Sequence, residues 1–365
     1  MIKLKEHFHG SDLEQIEASY GIKKEDIVSF AANVNPLGIS SQLRETLVSH
    51  IDAITSYPNR DYTPLRKAIA EYIHADFEAI LVGNGSTELI SLFIQCLHPD
   101  KTLILGPTYS EYEREVSIEN ESGSCQYYAL KEEQNFVLDV PDFLTHLSPN
   151  LDLVILCNPN NPTSSYISTS QMKQILTACK RNHTFVLVDE TYVEFTEKIE
   201  EISSVSLTGT YDNLIVLRGI SKFFAAPGLR LGYAVCNNPD LLFLIHEKKN
   251  PWTINSLAAI AGEIMFKDSH YIEETKALIF QERTRIVALL QEIPFLKVYP
   301  PSANFVLVRI LKKEITAEDI FETALKKGLL IRDCSTFPFL DERYFRFCFM
   351  KPEQNDSLLS VLKDL

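Results

Sequence analysis

Paired cysteines, a basic surface, long apolar runs and repeats are all missing from this chain of 365 residues. Its seven cysteines form no CxxC pair and are odd in number, which argues against a disulfide framework and for reduced thiols in a cytoplasmic protein. A formal net charge of −14 argues against binding to nucleic acid or to an anionic membrane, since both require a basic surface. No apolar stretch approaches the roughly 20 residues that cross a bilayer, and residues 1–10 lack the apolar core of a signal peptide. His7 and His9 have no evident third ligand, so no metal site is expected. Neither GxGxxG nor GxxxxGK spacing occurs, which sets a nucleotide-binding protein aside.

What is present is an alternation of short apolar runs and amphipathic segments. A chain of this length exceeds one simple core, so two domains are expected. Residues 1–40 read as an arm packed with the smaller domain, 41–250 as a large domain and 251–365 as a small α+β domain. In the arm, a short helix is expected around Leu13 to Tyr20 and a strand from Ile27 to Ala31. Leu43, Leu47, Ile51 and Ile54 repeat at helical spacing, as do Leu65, Ile69 and Ile73 behind Pro64. Apolar runs then end in turn at Val82, Leu105, Cys157, Val188 and Leu217, with helical patterns between several of them. This is the signature of an α/β fold with a mostly parallel, helix-covered sheet. Ser256 to Ile293 reads as one long helical region, followed by strands at Ala303–Ile310, Leu329–Asp333 and Tyr344–Phe349.

Ligands of such sheets bind beyond the carboxyl ends of the strands, and the polar motifs fall there. The first strand runs into Gly85, Ser86 and Thr87 at a helix start, which offers backbone N–H groups and hydroxyls to a phosphate. The next runs into Tyr109, placed to stack on a planar ring. Asn158 follows the third, and Asp189 ends the fourth, with Tyr192 three residues on. The fifth delivers Ser221 and Lys222, and Arg230 follows in a Gly-Leu-Arg turn. A lysine at the end of a buried strand must be paired, neutral or covalently used. Singly, each residue has an ordinary role: loop lysine, helix-capping aspartate, core tyrosine, turn asparagine. Together they suit a phosphorylated pyridine cofactor.

In this order the motifs resemble the fold-type I, class I and II aminotransferase superfamily, over essentially the whole chain. The resemblance implies the PLP-dependent transferase fold, with pyridoxal 5'-phosphate held by Lys222 as a Schiff base and its ring nitrogen at Asp189. It implies Tyr192 and Asn158 at the phenolic oxygen and Tyr109 on the ring face. The phosphate falls to Gly85, Ser86, Thr87, Ser221 and Arg230. It further implies a homodimer in which Tyr57 reaches the neighbouring subunit's cofactor, and a small phosphorylated substrate bound by His9, Asn33, Arg332 and Arg346.

Two subgroups are similar. His9-Gly10, Phe30 to Gly38, Tyr109 to Arg114, Pro227 to Arg230 and Ile331 to Ser335 look like threonine-phosphate decarboxylases of cobalamin synthesis. Val188 to Phe195 looks more like histidinol-phosphate aminotransferases, and Ser164 replaces the usual glycine. The expected activity is decarboxylation of L-threonine O-3-phosphate, with histidinol-phosphate transamination as the alternative.

Overall fold

A computed structural model describes residues 12–365. Strands β1 (Val28–Ser29), β2 (Ile80–Gly83), β3 (Lys101–Gly106), β4 (Ser124–Ala129), β5 (Leu153–Cys157), β6 (Phe185–Asp189), β7 (Leu214–Gly219) and β8 (Gly232–Cys236) precede the long helices of the C-terminal third. After those helices come β9 (Leu296–Val298), β10 (Phe305–Ile310), β11 (Leu329–Leu330), β12 (Arg332–Asp333) and β13 (Tyr344–Cys348).

The main sheet has seven strands in the order β2-β8-β7-β6-β5-β3-β4. All neighbours are parallel except β8, which runs antiparallel to both β2 and β7. Its strands are apolar on both faces because both are covered. Val154, Leu156, Val186, Val188 and Val216 face one core layer, while Ile155, Leu187, Ile215 and Leu217 face the other. Helix Gly85–Leu97 buries Leu89, Ile90 and Phe93 on one side; helix Thr169–Arg181, capped by Ser168, buries Met172, Ile175 and Leu176 on the other.

A second sheet, antiparallel in the order β12-β13-β10-β9, carries the late arginines. In the arm, β1 pairs in parallel with β11, and helix Leu13–Tyr20 forms where the sequence placed it.

The structure departs from the expected elements in four places. The helix over Leu43 ends at Ser49, and Ile51 and Ile54 stand exposed on a 3-10 turn rather than facing the core. Helices Ser256–Met265 and Ser269–Gln291 replace one long helical region, with the Asp268 carboxylate capping the second through the Tyr271 N–H. The Leu329–Asp333 run is divided between two sheets. Strands β4 and β9 were not anticipated; β4 is an edge strand whose mixed residues carry little apolar signal. Among the described residues no helix is long and apolar enough to cross a membrane.

Candidate functional site

The carboxyl ends of β2, β3, β5, β6 and β7 open into one cavity of about 440 Å³, closed on its far side by β12, β13 and the arm. That volume suits a small-molecule ligand.

Lys222 lies three residues beyond the end of β7. Its Nζ donates to the Ala32 carbonyl at 2.7 Å, and its own carbonyl accepts from the Asn35 N–H at 3.0 Å. The arm therefore holds both ends of this residue. Burial pulls the amine down to about 8, helped by the charges of Arg346 and Arg230. With about a tenth of the amine neutral at pH 7, such a lysine is equipped to act as a nucleophile or a proton carrier.

Asp189 ends β6, buried. Oδ2 accepts from the Tyr112 phenol at 2.7 Å; Oδ1 accepts from the Thr191 N–H at 2.9 Å and the Thr191 hydroxyl at 2.5 Å. Of roughly four acceptor positions on a carboxylate, these take three, and the residue lines the cavity. Burial, with the Asp189 charge beside it, holds the Tyr112 phenol well above its ordinary range, so it remains a donor. Tyr109 packs edge-on against Tyr112 at 5.7 Å and lines the same wall. Tyr192 is buried against Phe305, and Asn33 Nδ2 donates to its hydroxyl at 3.4 Å.

Ser86, Thr87, Ser221 and Arg230 meet at one end of the cavity. Gly85 is outside the lining but shapes it: its φ is +81°, and a Cβ there would run into the Arg230 guanidinium. A Cβ on Gly232 would lie 2.5 Å from the Ser86 nitrogen. Two residues without side chains thus let the start of helix Gly85–Leu97 settle against β8 and the arginine.

Arg346 and Arg332 stand directly opposite each other across the β12–β13 ladder. Arg346 is buried and donates to Asn161 Oδ1 and the Ala31 carbonyl, while its Nε is without a partner. Among the described residues no carboxylate forms an ion pair with it. Arg332 donates to the Thr336 hydroxyl at 2.9 Å and lies over the Phe337 ring. Burial, and the Arg346 charge, lower its pKa.

Most expected residues converge here: Ser86, Thr87, Tyr109, Asp189, Tyr192, Ser221, Lys222, Arg230, Arg332 and Arg346 all line the cavity. Asn158 does not. Its carboxamide is consumed by the backbone, donating to the Ile167 and Ile202 carbonyls and accepting from the Ile167 N–H. The asparagine that faces the cavity is Asn161, in the same Asn-Pro motif. Asn33 is buried beside the cavity, its Oδ1 unpartnered. Tyr57 lies apart, 82% exposed and tilted against Trp252 at 5.1 Å. His9 is outside the described residues. Sequence reading passed over Tyr112, Thr191 and Thr336; tyrosine and threonine beside a motif carry no signal of their own.

The donor set fits a phosphorylated pyridine aldehyde. It offers a depressed lysine amine, a buried carboxylate with an acceptor position to spare, an aromatic wall, and hydroxyls with an arginine at a helix start.

The family model for aminotransferase class I and II matches residues 25–362. A threonine-phosphate decarboxylase of Salmonella typhimurium is 32% identical over 98% of this chain and 96% of its own length. A histidinol-phosphate aminotransferase of Archaeoglobus fulgidus is 34% identical over 93% of each chain. The crystal structure of a histidinol-phosphate aminotransferase from Clostridium acetobutylicum superposes with a TM-score of 0.85 at 33% identity, covering 92% of this chain and 98% of that one.

Proposed function

The chain belongs to the aminotransferase class I and II family, and on that premise we propose that it is a pyridoxal-phosphate enzyme that decarboxylates L-threonine O-3-phosphate. The observation that carries this reading is the Arg332–Arg346 pair. Like charges directly opposite on a ladder repel, and a cavity that keeps two of them is built for two anionic groups. A phosphorylated amino acid brings both a phosphate and a carboxylate. Histidinol phosphate brings only the phosphate, so an aminotransferase would occupy both arginines only with its dicarboxylate co-substrate.

Lys222 would hold the cofactor, Asp189 its ring nitrogen, and Tyr192 with Asn161 its phenolic oxygen. Tyr109 would cover the ring face, and the Gly85–Thr87 helix start, Ser221 and Arg230 would take the phosphate. Bound there, the cofactor supplies an electron-deficient ring that accepts the electron pair left when a bond at the substrate's α-carbon breaks. Asp189, its two oxygens fixed by the Tyr112 hydroxyl and the Thr191 N–H and hydroxyl, would pair with a protonated ring nitrogen. Lys222 delivers a proton to the α-carbon once the carboxylate has gone. Arg332 and Arg346 orient the substrate, and that orientation selects which bond is aligned for cleavage.

Histidinol-phosphate transamination is the second reading, favoured by the likeness to the Clostridium acetobutylicum enzyme. Incubation with O-phospho-L-threonine, and separately with histidinol phosphate and 2-oxoglutarate, separates the two. CO2 release without glutamate is expected. Glutamate formation without CO2 release overturns the decarboxylase reading.

The same reading makes the protein a cytoplasmic homodimer in which the exposed Tyr57 enters the neighbouring site. It divides the chain into an arm to residue 40, a cofactor-binding domain to 250 and a small domain beyond. Its tests are sedimentation of the holoenzyme and loss of cofactor affinity in Tyr57→Ala.

A further inference from the structure

We propose that Glu132 is a positioning residue: standing on the edge of the seven-stranded sheet, its carboxylate clamps the four-stranded sheet and so fixes Arg332 and Arg346 relative to Lys222. The proposal rests on the reading above in one respect, that those arginines hold substrate anions.

Glu132 opens a 3-10 turn just beyond β4, the outermost strand of the large sheet. It reaches no part of the cavity. Arg309 Nη1 donates to both of its oxygens, at 2.6 and 2.7 Å, while Lys297 Nζ donates at 2.9 Å and the Tyr299 hydroxyl at 2.7 Å. These donors lie on β10, on β9 and one residue past β9, so a single carboxylate gathers two strands of the small sheet.

The ladder register carries that hold inward. Arg309 is opposite Tyr344, and Leu307 is opposite Arg346, which in turn is opposite Arg332. Two residues along a strand span about 7 Å, so the clamp sits one short lever arm from the substrate arginines. Phe136, four residues past Glu132, packs on Tyr299 at 4.9 Å and Tyr344 at 6.1 Å and seals the joint. An isolated exposed pair would hold little. Here one carboxylate takes four hydrogen bonds with its side chain only 22% exposed, and two cations converge on it. A displacement on the order of 1 Å in a positioning group changes rates by up to about 100-fold.

The test is Glu132→Gln in the holoenzyme. Expected are a rise in KM for O-phospho-L-threonine of about tenfold, kcat within about twofold and unchanged cofactor absorbance, the pattern of a lost binding term. Inorganic phosphate, titrated calorimetrically into the same holoenzyme, should weaken by a similar factor. Glu132→Asp should recover part of both. Unchanged KM and phosphate affinity, with only a lower Tm, would reduce Glu132 to a structural salt bridge and overturn the proposal. If Glu132→Gln fails to fold, Arg309→Gln leaves the carboxylate with Lys297 and Tyr299; it should raise KM and weaken phosphate to a smaller degree, and no change in either overturns the proposal. Failure of the unsubstituted enzyme to turn over O-phospho-L-threonine counts against the decarboxylase reading alone, and the phosphate titration then decides on Glu132.

Discussion

Tyr112 donates its phenolic hydrogen to Oδ2 of Asp189 across 2.7 Å, from a fully buried position on the helix after β3. With Thr191 on the other oxygen, the carboxylate cannot turn. A hydrogen bond to a charged group is worth about 1.5–3 kcal/mol. Tyr112→Phe should therefore retain cofactor yet lose roughly tenfold or more in kcat, read by steady-state kinetics beside the absorbance spectrum. A variant with full kcat would count against Asp189 as the ring-nitrogen partner.

The two asparagines of one motif should fail in opposite ways. Asn158→Ala strands three buried backbone groups, those of Ile167 and Ile202, and should cost on the order of 3 kcal/mol in thermal or denaturant unfolding. Asn161→Ala frees Arg346 instead and should raise KM about tenfold with little change in Tm. The reverse pattern would return Asn158 to the ligand-binding role first expected of it.

Lys222 gives the cofactor-free chain a distinct pH response. Its amine falls from 10.5 in ordinary surroundings to about 8 in the fold, so between those values the unfolded chain binds the extra proton. Stability must then rise with pH across that window, by up to about 3 kcal/mol. Urea titrations at pH 8 and 10, each set against Lys222→Met, isolate the contribution. Equal slopes in the two proteins would mean that the amine is not depressed.

The Glu132 clamp responds at the other end of the scale. Burial alone would raise its pKa, but hydrogen bonds from Lys297, Tyr299 and Arg309, and the Arg309 charge, hold it at about 2 against an ordinary 4.5. Its contribution is complete above 4.5 and is lost as pH falls toward 2, with up to about 3 kcal/mol at stake. Lys297, Arg309, Tyr299 and Tyr344 face it, and none of them is a carboxyl group. The stability difference between the unsubstituted protein and Glu132→Gln should shrink from pH 5 to pH 3, and a constant difference would contradict the assignment.

Gly85→Ala places a methyl group against the Arg230 guanidinium at a backbone φ of +81°. Displacing that arginine should raise the dissociation constant of the cofactor by about tenfold or more, a loss of roughly 1.4 kcal/mol. Dialysis followed by absorbance would show it. Gly209, whose Cβ would meet nothing, is the control position for alanine.

Most of the site was readable because a parallel sheet brings its carboxyl ends together, so residues far apart in sequence could be grouped by the strands they follow. That logic found Asp189, Lys222 and the Ser86–Thr87 start. It stops short of side-chain direction: Asn158 and Asn161 are chemically identical, and only the path of the turn decides which looks inward. It is also blind to the Glu132–Arg309 pair, whose members are 177 residues apart on elements with no shared pattern. The break at Phe266–Asp268 was hidden because apolar spacing continues on both sides. Only the Asp268 cap announces the second helix.

The reversed strand β8 has its own consequence for how such a site is assembled. A conventional crossover would leave one rim with Lys222 and return at the other, taking Arg230 to the far side of the sheet. Because β8 runs backward between β2 and β7, the loop from Gly219 to Gly232 begins and ends on the same rim. Both of its ends can therefore serve one ligand, the lysine on the way out and the arginine on the way back. A single inverted strand turns a connection into two contributions, and lengthening that loop should separate the charges it now holds together.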